Sequence, residues 1–269
     1  MKNDEPAPKL LRFRPGCGLG EANGGKITTR AVPVWDLPTR IFHWALVIAV
    51  VVSYATGGEE GSWFVVHTVS GYVVALLLLF RLAWGFSGSA HSLFSDFVYS
   101  PTSVSAYVRR LVRLAPPKFV GHNPLGGWMV ILLLVVLAAN VITGLLSGEE
   151  HGPGGLLLPL IAAPGEEGLG DVHEVLANVI VVLACLHILG VVADWLLTRE
   201  NLLRAMITGN KMLDEKSAAE EQQPVSGWRA LVVTALVAIA GFALFHQTDF
   251  AELATVPAKV GPGGEADDD

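Results

Sequence analysis

The sequence predicts an all-α integral membrane protein, in which a four-helix transmembrane bundle is followed by a fifth, C-terminal transmembrane helix. Of its 269 residues, 52% are hydrophobic and 16% are charged, and the mean hydropathy is +0.50. Soluble domains carry about 25% charged residues, so this composition excludes an ordinary soluble domain. The apolar residues are also concentrated in runs of about 20, which is the length that crosses a bilayer as a helix.

Five apolar runs follow one another along the chain, and we expect each to be a membrane span. They comprise residues 41–57, 64–86, 125–147, 172–196 and 228–246. An amphipathic stretch, residues 103–114, separates the second span from the third. The Gly- and Pro-rich loop 148–170 separates the third from the fourth, and its apolar piece, residues 156–163, is too short to span. The fifth span has the character of an added anchor or a partner-docking helix.

The basic residues predict the orientation of the chain. Seven Lys and Arg lie in residues 1–40, four in the 87–121 loop and five in 197–229, whereas the loops 58–63 and 148–171 carry none. Loops rich in Lys and Arg stay on the cytoplasmic side. We therefore expect a multi-pass protein of the bacterial cytoplasmic (inner) membrane, with a cytoplasmic N-terminus and an acidic, periplasmic C-terminus.

Four histidines lie within or at the ends of the spans, where a titratable side chain is costly and rarely incidental. They are His43, His67, His173 and His187. His173 and His187 are fourteen residues apart on one helix, close to four turns, so both face the same way about 21 Å apart. The predicted orientation places His43 and His187 at the cytoplasmic depth, and His67 and His173 at the periplasmic depth.

Two imidazoles at one depth can occupy both axial positions of a haem iron, a coordination suited to electron transfer. Each histidine alone could be an ordinary interfacial residue, but the pairing by depth favours two haems, ligated by His43–His187 and His67–His173. A zinc site fits less well, because structural zinc needs four ligands that converge on one point. No C-x-x-C-H motif occurs, so covalent attachment of a c-type haem is not encoded.

Four short motifs accompany these histidines. They read VWDLPTRIFHW from residue 34, His67 with Gly71 and then RLAWGF from residue 81, GHNPLGG from residue 121, and His173-Glu174 with His187. Over residues 32–212 these motifs resemble the prokaryotic cytochrome b561 family, which includes the cytochrome b subunits of nickel–iron hydrogenases. The chain differs from that family in its longer N-terminal tail and in its fifth apolar segment.

The resemblance implies a four-helix bundle that holds two haem b groups, with the four histidines as axial ligands. It also implies a function: electron transport in a respiratory chain, between the quinone pool and a periplasmic redox partner such as a c-type cytochrome or a hydrogenase-like enzyme. Quinone is then a substrate, and membrane lipid surrounds the protein. We expect no nucleic-acid partner.

Two further residues are candidates for contact with the haems. Gly71 lies four residues after His67, on the same helix face, and could let a flat macrocycle approach; small residues also mark ordinary packing of membrane helices. Arg81 is the only basic residue in the interior of a predicted span. It could pair with a propionate of the inner haem, or extend to the lipid headgroups.

Residues at the cytoplasmic ends of the spans admit two interpretations each. Asp36 and Arg40 could cap or anchor the first helix, or act at a haem or a quinone. His122 precedes Asn123 and Pro124, which favour a helix start, and it could instead exchange protons with a quinone.

The remaining histidines and the tryptophans are predicted to be peripheral. We expect His91, His151 and His246 to be surface residues. The seven tryptophans lie mostly near the predicted span ends, which is typical of the aromatic belt at a membrane interface.

The sequence thus divides into five segments. They are a cytoplasmic tail (1–31), the di-haem domain (32–212), a cytoplasmic linker (213–226), the extra transmembrane helix (227–247) and an acidic periplasmic tail (248–269). An alternative function is a stand-alone membrane oxidoreductase that acts at the outer face on a small molecule such as superoxide or quinone. A solute transporter is disfavoured, because neither internal repeats nor broken helices are visible in the sequence.

Overall fold

The computed structural model describes residues 29–58, 61–147, 168–214, 227–246, 248 and 250–255. In chain order its elements are β1 (Thr29–Pro33), α1 (Leu37–Thr56), α2 (Ser62–Ser87), a 3-10 turn (Ala90–Ser92), α3 (Phe94–Phe97), α4 (Pro101–Val112), α5 (Pro124–Leu146), α6 (Leu169–Thr198), α7 (Leu202–Thr208), β2 (Asn210–Asp214), α8 (Gly227–His246) and α9 (Phe250–Leu253). The predicted N-terminal tail before residue 29, most of the loop 148–170 with His151, the linker residues 215–226 and the acidic tail after residue 255 lie outside the described residues.

Five helices are long and apolar enough to cross a membrane, namely α1, α2, α5, α6 and α8. Their bounds agree with the five predicted spans to within a few residues at each end. The amphipathic stretch between the second and third spans forms α4, as its pattern indicates. The prediction of an all-α membrane protein with a fifth, C-terminal span is confirmed.

The four haem-domain helices pack as two joined hairpins. Helix α1 packs against α2, α5 packs against α6, and α2 also contacts α5. Their shared core is formed by one buried cluster to which all four helices contribute: Ala49, Val74, Leu78, Leu137 and Ile180. Because lipid tails are as apolar as these side chains, close van der Waals packing stabilises such contacts rather than the hydrophobic effect.

Two of the spans begin at the caps that the sequence predicts. The Asp36 carboxylate accepts a hydrogen bond from the backbone N–H of Thr39 at 2.7 Å, so it caps α1. Asn123 accepts from the backbone N–H of Gly126 at 2.7 Å and caps α5, with Pro124 in the first turn. Both caps satisfy N–H groups that have no partner inside the helix.

A short antiparallel ribbon joins the two ends of the haem domain. Strand β1 pairs with β2 from Thr29–Asp214 to Pro33–Asn210. Gly209, which precedes β2, has a φ of +85° and accepts hydrogen bonds from the N–H groups of Val34 and Trp35 at 2.8 and 3.0 Å. A Cβ at this position would lie 2.8 Å from the Trp35 carbonyl. The ribbon was not predicted, because its strands are short and pair across the whole domain.

The fifth span, α8, packs behind α2. Gly241 lies against Leu76, and the ring of Phe245 packs edge-on against Tyr72 with centroids 5.5 Å apart. Tyr72 and Leu76 follow His67 by five and nine residues, which places them about 140° and 180° around the helix from it. Helix α8 therefore covers the face of α2 opposite to the one that carries His67.

Candidate haem sites

The structure brings His67 of α2 and His173 of α6 together. Their ring centroids are 6.0 Å apart, and the ring planes are perpendicular, at 89°. Two nitrogens bound at about 2 Å to one metal lie about 4 Å apart, which puts the ring centroids roughly 6 Å apart. The separation of the two imidazoles therefore suits a single metal ion placed between them.

In both rings the described residues engage one nitrogen, Nδ1, in a hydrogen bond. Nδ1 of His67 lies 2.8 Å from the backbone carbonyl of Ser53, and Nδ1 of His173 lies 2.8 Å from that of Asn140. A carbonyl oxygen only accepts, so Nδ1 carries the proton in each ring and Nε2 keeps its lone pair. An imidazole that donates to a carbonyl on one side and offers a lone pair on the other is the usual form of a metal-ligating histidine.

The second predicted pair, His43 and His187, also lies close enough to interact electrostatically. The His43 ring contacts that of Trp44 edge-on, with centroids 5.0 Å apart. Within the described part of the chain, the buried Nδ1 of His43 has no hydrogen-bond partner. A buried nitrogen without a partner is unfavourable, which fits a site that a group outside the polypeptide completes.

Glycines beside the histidines fall into two kinds. A Cβ built on Gly71 or on Gly190 would meet no atom within 4 Å, so each borders open space on a helix that carries a candidate ligand. Gly144 of α5 is different, since a Cβ there would lie 2.7 Å from Cε1 of His173. Gly71 and Gly190 thus leave room for a flat group, whereas Gly144 leaves room for the imidazole itself.

Arg81 is buried in the protein, and its guanidinium is directed toward the loop after α2 rather than out to solvent. The residue is only 3% exposed. Its Nη1 donates to the carbonyl of Ser92 at 3.0 Å, and the guanidinium lies over the rings of Phe94 and Phe97, at 4.9 and 5.6 Å from their centroids. The loop after α2 folds back over Arg81, a tertiary contact that span prediction could not reveal.

Arg40 is the arginine nearest in sequence to a candidate ligand, one turn before His43. Its Nε is buried and lacks a hydrogen-bond partner among the described residues. The guanidinium instead packs beside Gly209. Of the two arginines considered at the sequence level, Arg40 therefore has the donor that is still available for an anionic group.

Asp36 does more than cap α1. Its second oxygen accepts from the indole Nε1 of Trp84 at 3.0 Å, from Ser92 Oγ at 2.9 Å and from the Ser89 hydroxyl. Burial alone would raise the pKa of Asp36, but the hydrogen bonds from Ser89, Thr39 and Ser92 outweigh it and lower the pKa. The carboxylate therefore stays ionised and joins the start of α1 to the end of α2.

Two predictions of peripheral residues are wrong in part. His91 is not a surface residue, because its Nδ1 pairs with Asp96 at 3.0 Å and its ring faces Trp35. Trp35 and Trp84 are buried, and Trp84 is only 1% exposed, so neither belongs to an interfacial belt. His246 is exposed at the end of α8, as predicted.

His122 lies just before α5 with its Nδ1 buried and unpartnered in the described part of the chain. Its ring lies 4.7 Å from Trp35 and 4.7 Å from Phe97, centroid to centroid. Burial, together with the positive charges of Arg81 and Lys211, lowers the pKa of His122 to about 3. The imidazole is therefore neutral at physiological pH, which favours a packing role over proton exchange.

Because His122 stays neutral in the folded protein, we expect the protein to lose stability in acid. In the unfolded chain His122 titrates near 6.5, and in the folded protein near 3, so the unfolded state binds more protons between these values. Stability should fall as pH decreases through this window, by up to about 1.4 kcal/mol per pH unit. His122→Phe keeps an aromatic ring but does not titrate, so its melting temperature should fall less than that of the wild type between pH 7 and pH 4. Parallel curves for the two proteins would contradict the assignment.

Sequence reasoning missed the residues that hold the histidine rings. Ser53 and Asn140 supply backbone carbonyls, which no sequence motif marks. Asn140 did carry a signal, since it is an amide in the middle of an apolar span, where a polar side chain needs a partner. Across the described residues, no group of three or more His, Cys, Asp or Glu side chains could hold a metal ion.

Comparison with known proteins identifies the family of the chain. A family model described as prokaryotic cytochrome b561 matches residues 34–209, which is more than half of the chain. A probable Ni/Fe-hydrogenase B-type cytochrome subunit of Rhodobacter capsulatus is 25% identical over 215 residues, covering 67% of this chain and 81% of the relative. The similarly named protein of Rhizobium leguminosarum bv. viciae is 26% identical over 231 residues, covering 73% and 95%. No solved structure matched the chain.

The matched segment spans the helices that carry all four candidate ligands, from before His43 to beyond His187. It ends before α8, which lies outside the matched segment. With a family model that matches more than half of its length and with five apolar helices, the chain belongs to the prokaryotic cytochrome b561 family and is a multi-pass membrane b-type cytochrome that transfers electrons.

Proposed function

We propose that this protein is a di-haem cytochrome b that passes electrons across the bacterial cytoplasmic membrane between the quinone pool and a periplasmic redox partner. His43–His187 and His67–His173 are the axial pairs. The observation that carries the proposal is the His67–His173 pair, whose rings lie 6.0 Å apart with both Nδ1 atoms hydrogen-bonded to backbone carbonyls, which leaves the lone pair of each neutral ring on Nε2.

The polypeptide supplies the ligands of the haems, sets the depth of each haem in the membrane and surrounds it with a low-dielectric interior. When bound, the haems supply the one-electron chemistry. The fourteen residues from His173 to His187 set two levels about 21 Å apart along α6, so the two pairs divide the membrane thickness between them. Gly71 and Gly190 leave open space on the helices that carry the ligands. Arg40, whose buried Nε has no hydrogen-bond partner among the described residues, is the residue suited to a propionate at the level of His43.

The names of the relatives favour a hydrogenase-like enzyme as the partner. Both are called probable Ni/Fe-hydrogenase B-type cytochrome subunits. The loops without basic residues carry Glu59, Glu60, Glu149, Glu150, Glu166 and Glu167. We place this acidic side in the periplasm, where it would attract a basic docking patch by electrostatic steering. The N-terminus is then cytoplasmic and the C-terminal tail periplasmic, with the segment limits inferred from the sequence.

Haem content tests this function directly. Purified protein is assayed by pyridine haemochrome and by a dithionite-reduced minus oxidised spectrum, and we expect two low-spin b haems per chain. One haem per chain would mean that one histidine pair is misassigned. No haem after expression with supplemented haem would overturn the proposal. In membranes that contain the partner, haems reduced at one end of the path, by quinol or by the reduced partner, should be reoxidised at the other end, by the oxidised partner or by quinone; transfer in either direction tests the path.

The open space beside Gly71 allows a separate prediction about haem content. A methyl group there meets no protein atom and should favour the helix by up to about 1 kcal/mol. If a haem edge fills the space, Gly71→Ala should instead lower the haem content of the His67–His173 pair while leaving the yield of folded protein unchanged. Gly227→Ala is the matched control, since its Cβ also meets open space but lies at the start of α8. Equal haem content in the two variants would remove Gly71 from the site.

A further inference from the structure

The two imidazoles of the His67–His173 pair are held by the same local arrangement on different helices. On α1, the carbonyl of Ser53 binds His67, and Gly57 follows four residues later. On α5, the carbonyl of Asn140 binds His173, and Gly144 follows four residues later. In an α-helix the carbonyl of residue i points toward residue i+4. The side chain at i+4 therefore controls whether a neighbouring helix can reach that carbonyl.

The two glycines differ in how closely the ring approaches. A Cβ at Gly144 would lie 2.7 Å from Cε1 and 2.9 Å from Nδ1 of His173. These distances are below van der Waals contact, and one of the atoms is the nitrogen that donates to the carbonyl. A Cβ at Gly57 would lie 3.4 Å from the same two atoms of His67, which is an ordinary contact. Gly144 is thus required for its ring to reach the carbonyl, whereas Gly57 is not.

Asn140 adds a second bond between the same two residues. Its side-chain Nδ2 donates to the backbone carbonyl of His173 at 2.8 Å, while its own backbone carbonyl accepts from Nδ1 of His173 at 2.8 Å. The hydroxyl of Thr143 also donates to the Asn140 carbonyl, at 3.0 Å. An unpaired amide within a membrane is costly, so this exchange accounts for a polar side chain in the middle of α5. It also fixes the rotation of α6 at His173.

We propose that Asn140 and Gly144 form a seat on α5 that positions the His173 imidazole and sets the properties of the haem it ligates. The inference rests on the proposed function, because it assumes that His173 is an axial ligand. The hydrogen bond from Nδ1 to the carbonyl holds the tautomer that leaves Nε2 free and makes the ring a more basic ligand, which stabilises the oxidised iron. The Ser53 carbonyl on α1 and the seat on α5 together keep the two ring planes perpendicular, at 89°. This orientation is expected to give a strongly anisotropic low-spin ferric signal in electron paramagnetic resonance.

Gly144→Ala tests the seat, with Gly57→Ala as the matched control. Both place one methyl at the i+4 position beside a ligand ring, but only the first overlaps the ring. We expect Gly144→Ala to weaken binding of the His67–His173 haem by about 10- to 100-fold. Any haem that remains there should have a raised midpoint potential and an altered electron paramagnetic resonance signal. The His43–His187 haem should keep its potential and signal, and both haems of Gly57→Ala should match the wild type.

The retained His43–His187 haem reports that the bundle of Gly144→Ala is folded. If Gly144→Ala gives no folded protein, Asn140→Ala tests the seat instead. This variant keeps the carbonyl of residue 140 and keeps Gly144, but it removes the amide that donates to His173. A changed signal confined to the His67–His173 haem supports the seat. Wild-type potentials and signals for both haems in either folded variant overturn it. If the wild type binds two haems and the folded variants show unchanged potentials and signals, the seat is rejected and the proposed function stands. If the wild type binds no haem, the proposed function itself is rejected.

Discussion

His67→Ala and His173→Ala should each remove the same haem and leave the other in place. The two rings lie 6.0 Å apart and each Nδ1 is hydrogen-bonded to a backbone carbonyl, which fits the proposed role of the pair as the two axial ligands of one iron. After the loss of either ligand, the remaining imidazole alone cannot hold the haem at normal affinity. We expect the haem content to fall from two to one per chain in both variants, with identical residual spectra. The double variant should resemble each single one.

The complementary variants identify the second site. His43→Ala and His187→Ala should remove the other haem, so their residual spectra should match each other and differ from those of the first set. His246→Ala is the control, because this histidine is exposed at the end of α8. If His67→Ala and His187→Ala abolished the same spectral component, the pairing by depth would be wrong. Potentiometric titration of each variant separates the two components.

Asp36→Ala should destabilise the folded protein by about 2–4 kcal/mol. The substitution removes the cap of α1, which is worth about 1 kcal/mol. It also leaves the buried indole N–H of Trp84 and the hydroxyls of Ser89 and Ser92 without their acceptor, at about 1–3 kcal/mol for a buried donor. Thermal unfolding in detergent, followed by the loss of haem absorbance, measures the effect.

Ser100→Ala provides the comparison for Asp36→Ala. Ser100 also caps a helix, since it accepts from the backbone N–H of Ser103 at 3.3 Å, but it is exposed and serves only α4. Its loss should lower stability by about 1 kcal/mol at most. Equal melting temperatures for the two variants would show that Asp36 acts as a cap alone. A larger loss for Asp36→Ala, with earlier release of the His43–His187 haem, would show that it anchors α1.

Local patterns determined much of this protein. The five spans follow from runs of apolar residues, and the caps at Asp36 and Asn123 follow from side chains that bond to backbone three residues away. The pairing of histidines by depth needed only the helix rise and the distribution of Lys and Arg. The spans and caps are set within about 30 residues and the predicted pairing by depth uses only positions along the chain, so all of them can be inferred without knowing how the helices pack.

Tertiary structure decided the rest. Ser53 and Asn140 bind the histidines through backbone carbonyls, which every residue has, so only the packing of α1 on α2 and of α5 on α6 selects them. Arg81 is buried because the loop after α2 folds over it. Strand β1 pairs with β2, which lies at the other end of the domain in sequence. Such contacts depend on the position of one helix face relative to another. The sequence by itself therefore determined the spans and predicted which histidines pair, while the helix packing decided the orientation of each imidazole.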